Sequence, residues 1–150
     1  DCRLIGAPHR AAKASRRAAD GAKPLRQTQE MFDDNADGKV DRLLVTFSET
    51  LSPFTASLSV FGLSAAPSGA TVNSVLVVGN QATIALNQGV GAATTAVGTF
   101  TISLTADAAG IRDGAGNLAS YTATAPTDRA APALVTLNLL DNNGNGKADA

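Results

Sequence analysis

The sequence predicts an all-β protein whose strands pack as a sandwich. Several short segments alternate apolar and polar residues with a period of two, which is typical of strands that bury one face. Clusters of glycine, proline and asparagine separate these segments, and no stretch shows a convincing helical period. Hydrophobic residues make up 44% of the 150-residue chain and charged residues 17%. This composition is typical of a globular protein with a buried core.

The first strands follow from this alternation. Residues 25–32 are predicted as the opening strand, and a second strand is predicted where Leu43, Val45 and Phe47 alternate with their neighbours. Residues 57–60 alternate serine with leucine and valine, which predicts a third strand.

A hairpin and two further strands are predicted in the second half of the chain. The β-branched run 72–78 and the alternating segment 83–86 flank Gly79-Asn80-Gln81, which is typical of a hairpin turn. Residues 99–105 alternate threonine or serine with phenylalanine, isoleucine and leucine, and 121–124 form another short strand.

These strands fit an immunoglobulin-like Greek-key β-sandwich of about seven strands in roughly 100 residues. The chain has one cysteine, Cys2, so we expect no disulfide within it, and burial of aliphatic side chains must hold the core. The one histidine is His9. The rest of the chain therefore lacks the side chains needed for Cys–His or Ser–His–Asp catalysis and for zinc binding through His or Cys. We expect that the protein is not an enzyme.

Charge is distributed unevenly along the chain. Residues 1–30 contain seven Lys and Arg against three Asp and Glu, whereas residues 31–150 contain five against ten. We expect residues 1–19 to be a basic tail or linker without fixed structure. The body has no interleaved basic and aromatic residues, so we expect no nucleic-acid partner. No apolar run approaches ~18 residues, so we expect no membrane span.

An internal repeat defines the expected domain organisation. The segment Asp33–Asp41 returns 108 residues later at 141–149, and the same offset pairs Asp20, Ala22 and Pro24 with Asp128, Ala130 and Pro132. A repeat of this length is typical of whole domains in a tandem array. We therefore expect one sandwich unit at 20–132 and the start of the next unit at 133–150.

Four short motifs, in this order and spacing, resemble bacterial Ig-like domains. They are the Asp/Asn/Gly segment 33–41, the strand sequence Val45–Glu49, the turn Asp113–Asn117 and the segment Asp128–Pro132. Domains of this kind occur in tandem in secreted, cell-surface and surface-layer proteins. The resemblance implies a Greek-key sandwich that serves as a spacer, stalk or adhesive module outside the cell. Its expected partners are neighbouring repeat units of the same chain and another surface protein or a glycan.

The Asp/Asn/Gly segment predicts a calcium site. Asp33, Asn35, Asp37 and Asp41 match positions 1, 3, 5 and 9 of an oxygen-rich calcium loop, and the Lys39 carbonyl would serve position 7. The second copy offers Asp141, Asn143, Asn145 and Asp149, with one carboxylate fewer, which predicts a weaker site.

The first loop lacks the carboxylate that usually closes such a site. Position 12 is Leu44, and the loop leads into a strand rather than a helix. Asp34, Glu49 and the turn at 113–117 are the candidate donors for the remaining position. The alternative interpretation is an ordinary turn, because Asp, Asn and Gly tolerate left-handed backbone and hydrogen-bond their own main chain.

Two other functions remain open. One is a protein- or carbohydrate-binding accessory module of a secreted enzyme, although the chain has no Trp and one Tyr for stacking on sugars. The other is a dockerin-like calcium module, which would need a helix after each loop and a much closer spacing of the two loops. We expect the calcium-rigidified structural or adhesive module.

Overall fold

The structure is a computed structural model that describes residues 21–132, Gly144, Gly146 and Lys147. Residues 1–20, 133–143, 145 and 148–150 lie outside the described part. Several expectations fall outside the described part and therefore remain predictions. They are the basic tail, the domain limits at 19/20 and 132/133, and the second-loop ligands Asp141, Asn143, Asn145 and Asp149.

The described residues form eight strands and two short 3-10 helices. The strands are β1 (Arg26–Phe32), β2 (Arg42–Phe47), β3 (Phe61–Ser64), β4 (Thr71–Val78), β5 (Gln81–Asn87), β6 (Thr101–Leu104), β7 (Tyr121–Thr124) and β8 (Thr127–Asp128). The 3-10 helices are Leu58–Val60 and Pro67–Gly69. No helix in this part of the chain has the length and apolar character needed to span a membrane.

The strands lie in two sheets. The larger sheet has the order β4-β5-β2-β1-β8 and the smaller one β3-β6-β7. Neighbouring strands are antiparallel except β1 and β8, which are parallel. Phe47 and Ile84 of the larger sheet and Ile102 and Leu104 of the smaller sheet belong to one buried hydrophobic cluster. The prediction of an all-β protein with two sheets around an apolar core is confirmed.

Most of the predicted strands are present in the structure, but residues 57–60 do not form the predicted strand. The hairpin of β4 and β5 turns at Gly79-Asn80, as the sequence predicts. Leu58–Val60, in contrast, forms a 3-10 turn, and strand β3 begins only at Phe61. The amide of Val60 donates to the Ser57 carbonyl at 3.3 Å, which closes this turn. Two alternations in four residues do not distinguish a strand from a turn.

Strand β1, next to the edge strand β8, contacts the smaller sheet through a side chain. It pairs with β8 at Glu30–Thr127 and Met31–Asp128. Gln29 is 3% exposed, and its Nε2 donates to the Thr124 carbonyl of β7 at 2.9 Å. A side-chain hydrogen bond therefore links the larger sheet to the smaller one.

Candidate functional site

The predicted calcium loop is the connection between β1 and β2. The amide of Asp41 donates to the Phe32 carbonyl at 2.8 Å, so the two ends of the loop meet across the strand pair. The carbonyl of Asp41 in turn accepts the amide of Leu86 at 2.7 Å. The loop is therefore anchored on both β1 and β5 and forms a fixed bend at one end of the larger sheet.

Asp33 is the buried member of the loop. The residue is only 8% exposed, and Oδ2 accepts the Gly38 amide at 2.8 Å. Gly38 has φ 84°, a conformation that glycine adopts without strain, so the sequence position of this glycine matches the turn. The second carboxylate oxygen, Oδ1, is buried without a hydrogen-bond partner among the described residues. The loop therefore holds one buried acceptor that its own amides do not satisfy.

Asn35 and Asp37 form successive turns by bonding to the main chain. Asn35 Oδ1 accepts the Asp37 amide, and Asp37 Oδ1 accepts the Lys39 amide, both at 2.9 Å. Asn35 Nδ2 also donates to Asp37 Oδ2 at 3.2 Å. Desolvation raises the pKa of Asp37, but the hydrogen bonds from Gln88, the Lys39 amide and Asn35, with the Lys39 charge, outweigh it and hold the pKa below 3.8.

Asp41 and Gln88 close the loop from the other side. Asp41 Oδ2 accepts the amides of Asp34 at 2.7 Å and Asn35 at 3.2 Å. Its Oδ1 accepts Gln88 Nε2 at 2.7 Å, and the same nitrogen lies 3.1 Å from Asp37 Oδ1. One side-chain amide thus bridges the carboxylates at the fifth and ninth positions of the loop.

The two positively charged residues that lie in or next to the loop, Lys39 and Arg42, both have partners. Arg42 Nε lies 2.6 Å from Asp34 Oδ2, and the Arg42 guanidinium stacks 4.0 Å above the Phe32 ring centroid. Lys39 Nζ donates to the Gly89 carbonyl at 2.8 Å. Asp34 is thus engaged by a salt bridge rather than turned into the loop.

The other candidate donors lie at the opposite end of the sandwich. Glu49 follows β2 at the end remote from the loop, which precedes that strand. Asp113 bridges Leu51, and its carboxylate accepts the amides of Ala115 and Asn117 at 2.9 and 2.8 Å. Glu49 and the 113–117 turn are therefore not available to complete the loop, and this part of the prediction is wrong for a geometric reason.

Gln88 is the residue that sequence reasoning missed. It follows β5, and the antiparallel pairing of Arg42 with Ala85 brings the end of β5 beside the start of β2. The hairpin prediction placed β5 beside β4, but nothing in the local sequence indicates that its other edge pairs with β2. Predicting that Gln88 lies near the loop therefore requires knowledge of the order of strands in the larger sheet.

The donor chemistry of the loop suits a hard cation, although its present hydrogen bonding is that of a turn. The described residues contain no group of three or more His, Cys, Asp or Glu side chains arranged to hold a metal. Backbone amides and the Gln88 amide donate to both carboxylate oxygens of Asp41 and to Oδ1 of Asp37. Carboxylate, amide and carbonyl oxygens are the ligands that calcium takes, and the buried Oδ1 of Asp33 is one to which no group in residues 21–132 donates.

Comparison with protein-family models, with curated proteins and with solved structures found no match in any of the three. The resemblance to bacterial Ig-like domains therefore rests on the motifs of the sequence.

Proposed function

We propose that this chain is a non-catalytic structural or adhesive module of a tandem-repeat extracellular protein. In this proposal the two-sheet fold is an Ig-like Greek-key sandwich, and a calcium ion at the loop 33–41 stiffens the end of the unit. The repeat of the loop at 141–149 supports an array, because the same bend would recur in the next unit.

The observation that carries the calcium proposal is the carboxylate of Asp33. A buried acceptor without a donor costs free energy, on the order of 1–3 kcal/mol, and more when it is charged. Asp33 Oδ1 is such an atom, within a segment that also contains the carboxylates of Asp37 and Asp41. A divalent cation would satisfy the buried oxygen and offset the repulsion between the acids.

Calcium at this loop would be held by the oxygens of Asp33, Asn35, Asp37, the Lys39 carbonyl and Asp41. Bound calcium would neutralise clustered carboxylates, which hydrogen bonds alone leave charged. The protein's own part is to hold those oxygens on a bend fixed by the contacts of Asp41 with Phe32 and Leu86.

The position of the loop explains why its stiffness would matter in an array. The amide of Arg129 donates to the Met31 carbonyl at 3.0 Å, and Arg129 Nε lies 2.9 Å from Glu30 Oε1. The last described strand, β8, therefore ends beside the end of β1, where Met31 lies two residues before Asp33. A rigid loop there would restrict the hinge to the following unit.

The alternative of a sugar-binding accessory module has less support. All six aromatic residues lie in the described part, and none of them is an exposed platform. Phe47 and Phe100 are fully buried, Phe32 lies under Arg42, and Tyr121 lies under Arg26. Sugar-binding faces need exposed rings on which the sugar stacks.

Thermal melting of the full chain with calcium and with a chelator tests the proposal. We expect calcium to raise the melting temperature, since a ligand at about 100 times its Kd stabilises by roughly 2.7 kcal/mol. Asp37→Asn and Asp41→Asn should reduce the calcium-induced shift, and Asp107→Asn, in a separate turn, should not. Equal melting temperatures in calcium and in chelator would sink the ion proposal.

A further inference from the structure

The side-chain amide of Gln88 occupies the place between two expected cation ligands. Its Nε2 lies 3.1 Å from Asp37 Oδ1 and 2.7 Å from Asp41 Oδ1. These carboxylates belong to the fifth and ninth positions of the predicted loop, whose twelfth position is the apolar Leu44. A positively polarised group therefore already lies at the point where the loop concentrates negative charge.

The side-chain amide of a glutamine can interact with such a site both when a cation is bound and when it is not. Its NH2 end donates two hydrogen bonds, and its carbonyl end is a neutral oxygen ligand that calcium accepts. Rotation about the terminal bond exchanges the two ends at nearly the same place, because that torsion is broad and roughly two-fold. Two carboxylates without a cation favour the NH2 end, whereas a cation between them favours Oε1.

We propose that Gln88 is the ligand that completes the calcium site of the loop 33–41, and that calcium binding turns its amide from donor to ligand. This inference rests on the proposed calcium function. It identifies the oxygen ligand that Leu44 does not provide at the twelfth position of the loop. It also makes the segment after β5 part of the site.

Asp33 supports a cation at this loop independently of Gln88. Its carboxylate faces the loop, because Oδ2 accepts the Gly38 amide at 2.8 Å. The residue is 8% exposed, and Oδ1 is buried with no partner in the part of the chain that the structure describes. Hydrogen bonding within the loop thus leaves this oxygen for another donor or a cation.

The backbone next to Gln88 is fixed, so its side chain turns on a rigid base. A Cβ at Gly89 would lie 1.9 Å from the Ser68 carbonyl oxygen, which only a glycine avoids. The Gly89 carbonyl accepts Lys39 Nζ at 2.8 Å, and Gly91 donates to the Ser68 carbonyl at 3.0 Å. The amide of Gln88 can therefore exchange its ends without a shift of the main chain.

Calorimetric titration with calcium ions alone tests this assignment. Every chain carries Asp141→Asn and Asp149→Asn, so that the second loop contributes no carboxylate. Relative to this background, we expect Gln88→Ala to weaken calcium binding roughly tenfold and Gln88→Glu to strengthen it by a similar factor. Gln81→Glu, on the remote end of β5, should change the affinity less than twofold.

A second measurement does not depend on how the variants fold. In the unsubstituted loop, the side-chain amide resonances of Gln88 should shift on addition of calcium, while those of Gln81 stay in place. Unchanged affinity in both Gln88 variants, or Gln88 amide resonances that ignore bound calcium, would overturn this inference and leave calcium binding intact. A background chain that binds no calcium would overturn both.

Discussion

Aspartate side chains in this protein act mainly as acceptors for nearby backbone amides. Asp37 accepts the amide of Lys39, Asp107 that of Ala109, and Asp128 that of Ala130. Each of these bonds spans two residues and fixes the local course of the main chain. A short polar side chain therefore determines the main-chain path at several bends of the sandwich.

Asp113 is a further carboxylate that accepts nearby amides, and it should make stability depend on pH. The hydrogen bond from the Asn117 side chain, at 2.7 Å, is the main cause that holds the pKa of Asp113 below its ordinary value of 3.8. Desolvation opposes this shift, and the amides of Asn117, Ala115 and Gly116 add to it. The folded state therefore binds this proton more weakly than the unfolded chain does.

We expect the free energy of unfolding to fall as the pH is lowered from about 4 toward the pKa of folded Asp113. The contribution is fully present above the unfolded pKa and is lost as the carboxylate is protonated. Urea denaturation at a series of pH values measures this slope. Asp113→Asn should flatten it, and Asn73→Ala, an exposed change on β4, should not. Parallel slopes for wild type and Asp113→Asn would contradict the assignment.

At the residue level, the sequence predicted the loop but left its two interpretations open. Asp33, Asn35, Asp37 and Asp41 lie in one bend, as both the turn and the calcium interpretations require. Gln88 was not foreseen, because it is 47 residues from Asp41 and reaches it only through the pairing of β5 with β2. Side chains contributed by a distant strand carry no local pattern in the sequence.

Among the elements, β1 has the widest set of partners. It pairs with β2 on one edge and with β8 on the other, and Gln29 extends from it to Thr124 of β7. Arg26 of β1 also lies 5.2 Å from the ring centroid of Tyr121. Burial raises the pKa of Tyr121 well above its ordinary value of 10, although the nearby charge of Arg26 opposes this shift. Strand β1 thus ties β7 to the larger sheet through side chains.

The Gln29 bond should contribute measurably to stability. Gln29→Ala removes the donor to the Thr124 carbonyl and empties a site that is 3% exposed, so we expect a loss of about 2 kcal/mol in the free energy of unfolding. Gln27→Ala, at the exposed position where β1 shifts its register with β2, is the matched control and should change it by less than about 0.5 kcal/mol. Chemical denaturation measures both. Equal stabilities for the two variants would show that β7 is held in some other way.

Element prediction succeeded where alternation was long and turns were marked. The β4–β5 hairpin has seven or eight residues on each side of Gly79-Asn80, and β6 has a regular burial pattern. It failed at Leu58–Val60, where the short pattern is equally compatible with a 3-10 turn. It also missed β8, whose two residues have no periodicity and are a strand only because β1 lies beside them.

For the whole molecule, one apolar cluster fills the space between the sheets. Met31, Leu43 and Val45 come from the larger sheet, while Phe61 and Ile102 come from the smaller one, and all are at most 5% exposed. The residues of this cluster lie between positions 31 and 119. The order of the strands in the sheets, unlike their existence, could not be predicted, because it depends on contacts between distant segments.

We expect residues 21–132 to fold as an independent unit, because they contain two sheets that enclose a buried hydrophobic cluster running from Met31 to Ala119. A chain cut to these residues should melt cooperatively, within about 2 °C of the 150-residue chain when both are measured in chelator. Scanning calorimetry provides the comparison. A markedly lower melting temperature for the shorter chain would mean that the flanking residues contribute to the fold.

The parallel pairing of β1 with β8 determines how this unit would respond to tension. Strand β1 begins at Arg26, and β8 ends beside the other end of β1, so these two points are separated by roughly 20 Å along the strand direction. Tension applied at these two points would slide β8 along β1 rather than peel it away, because the two strands are parallel. The bonds of that pair, including the one from Arg129 to Met31, would then be loaded together.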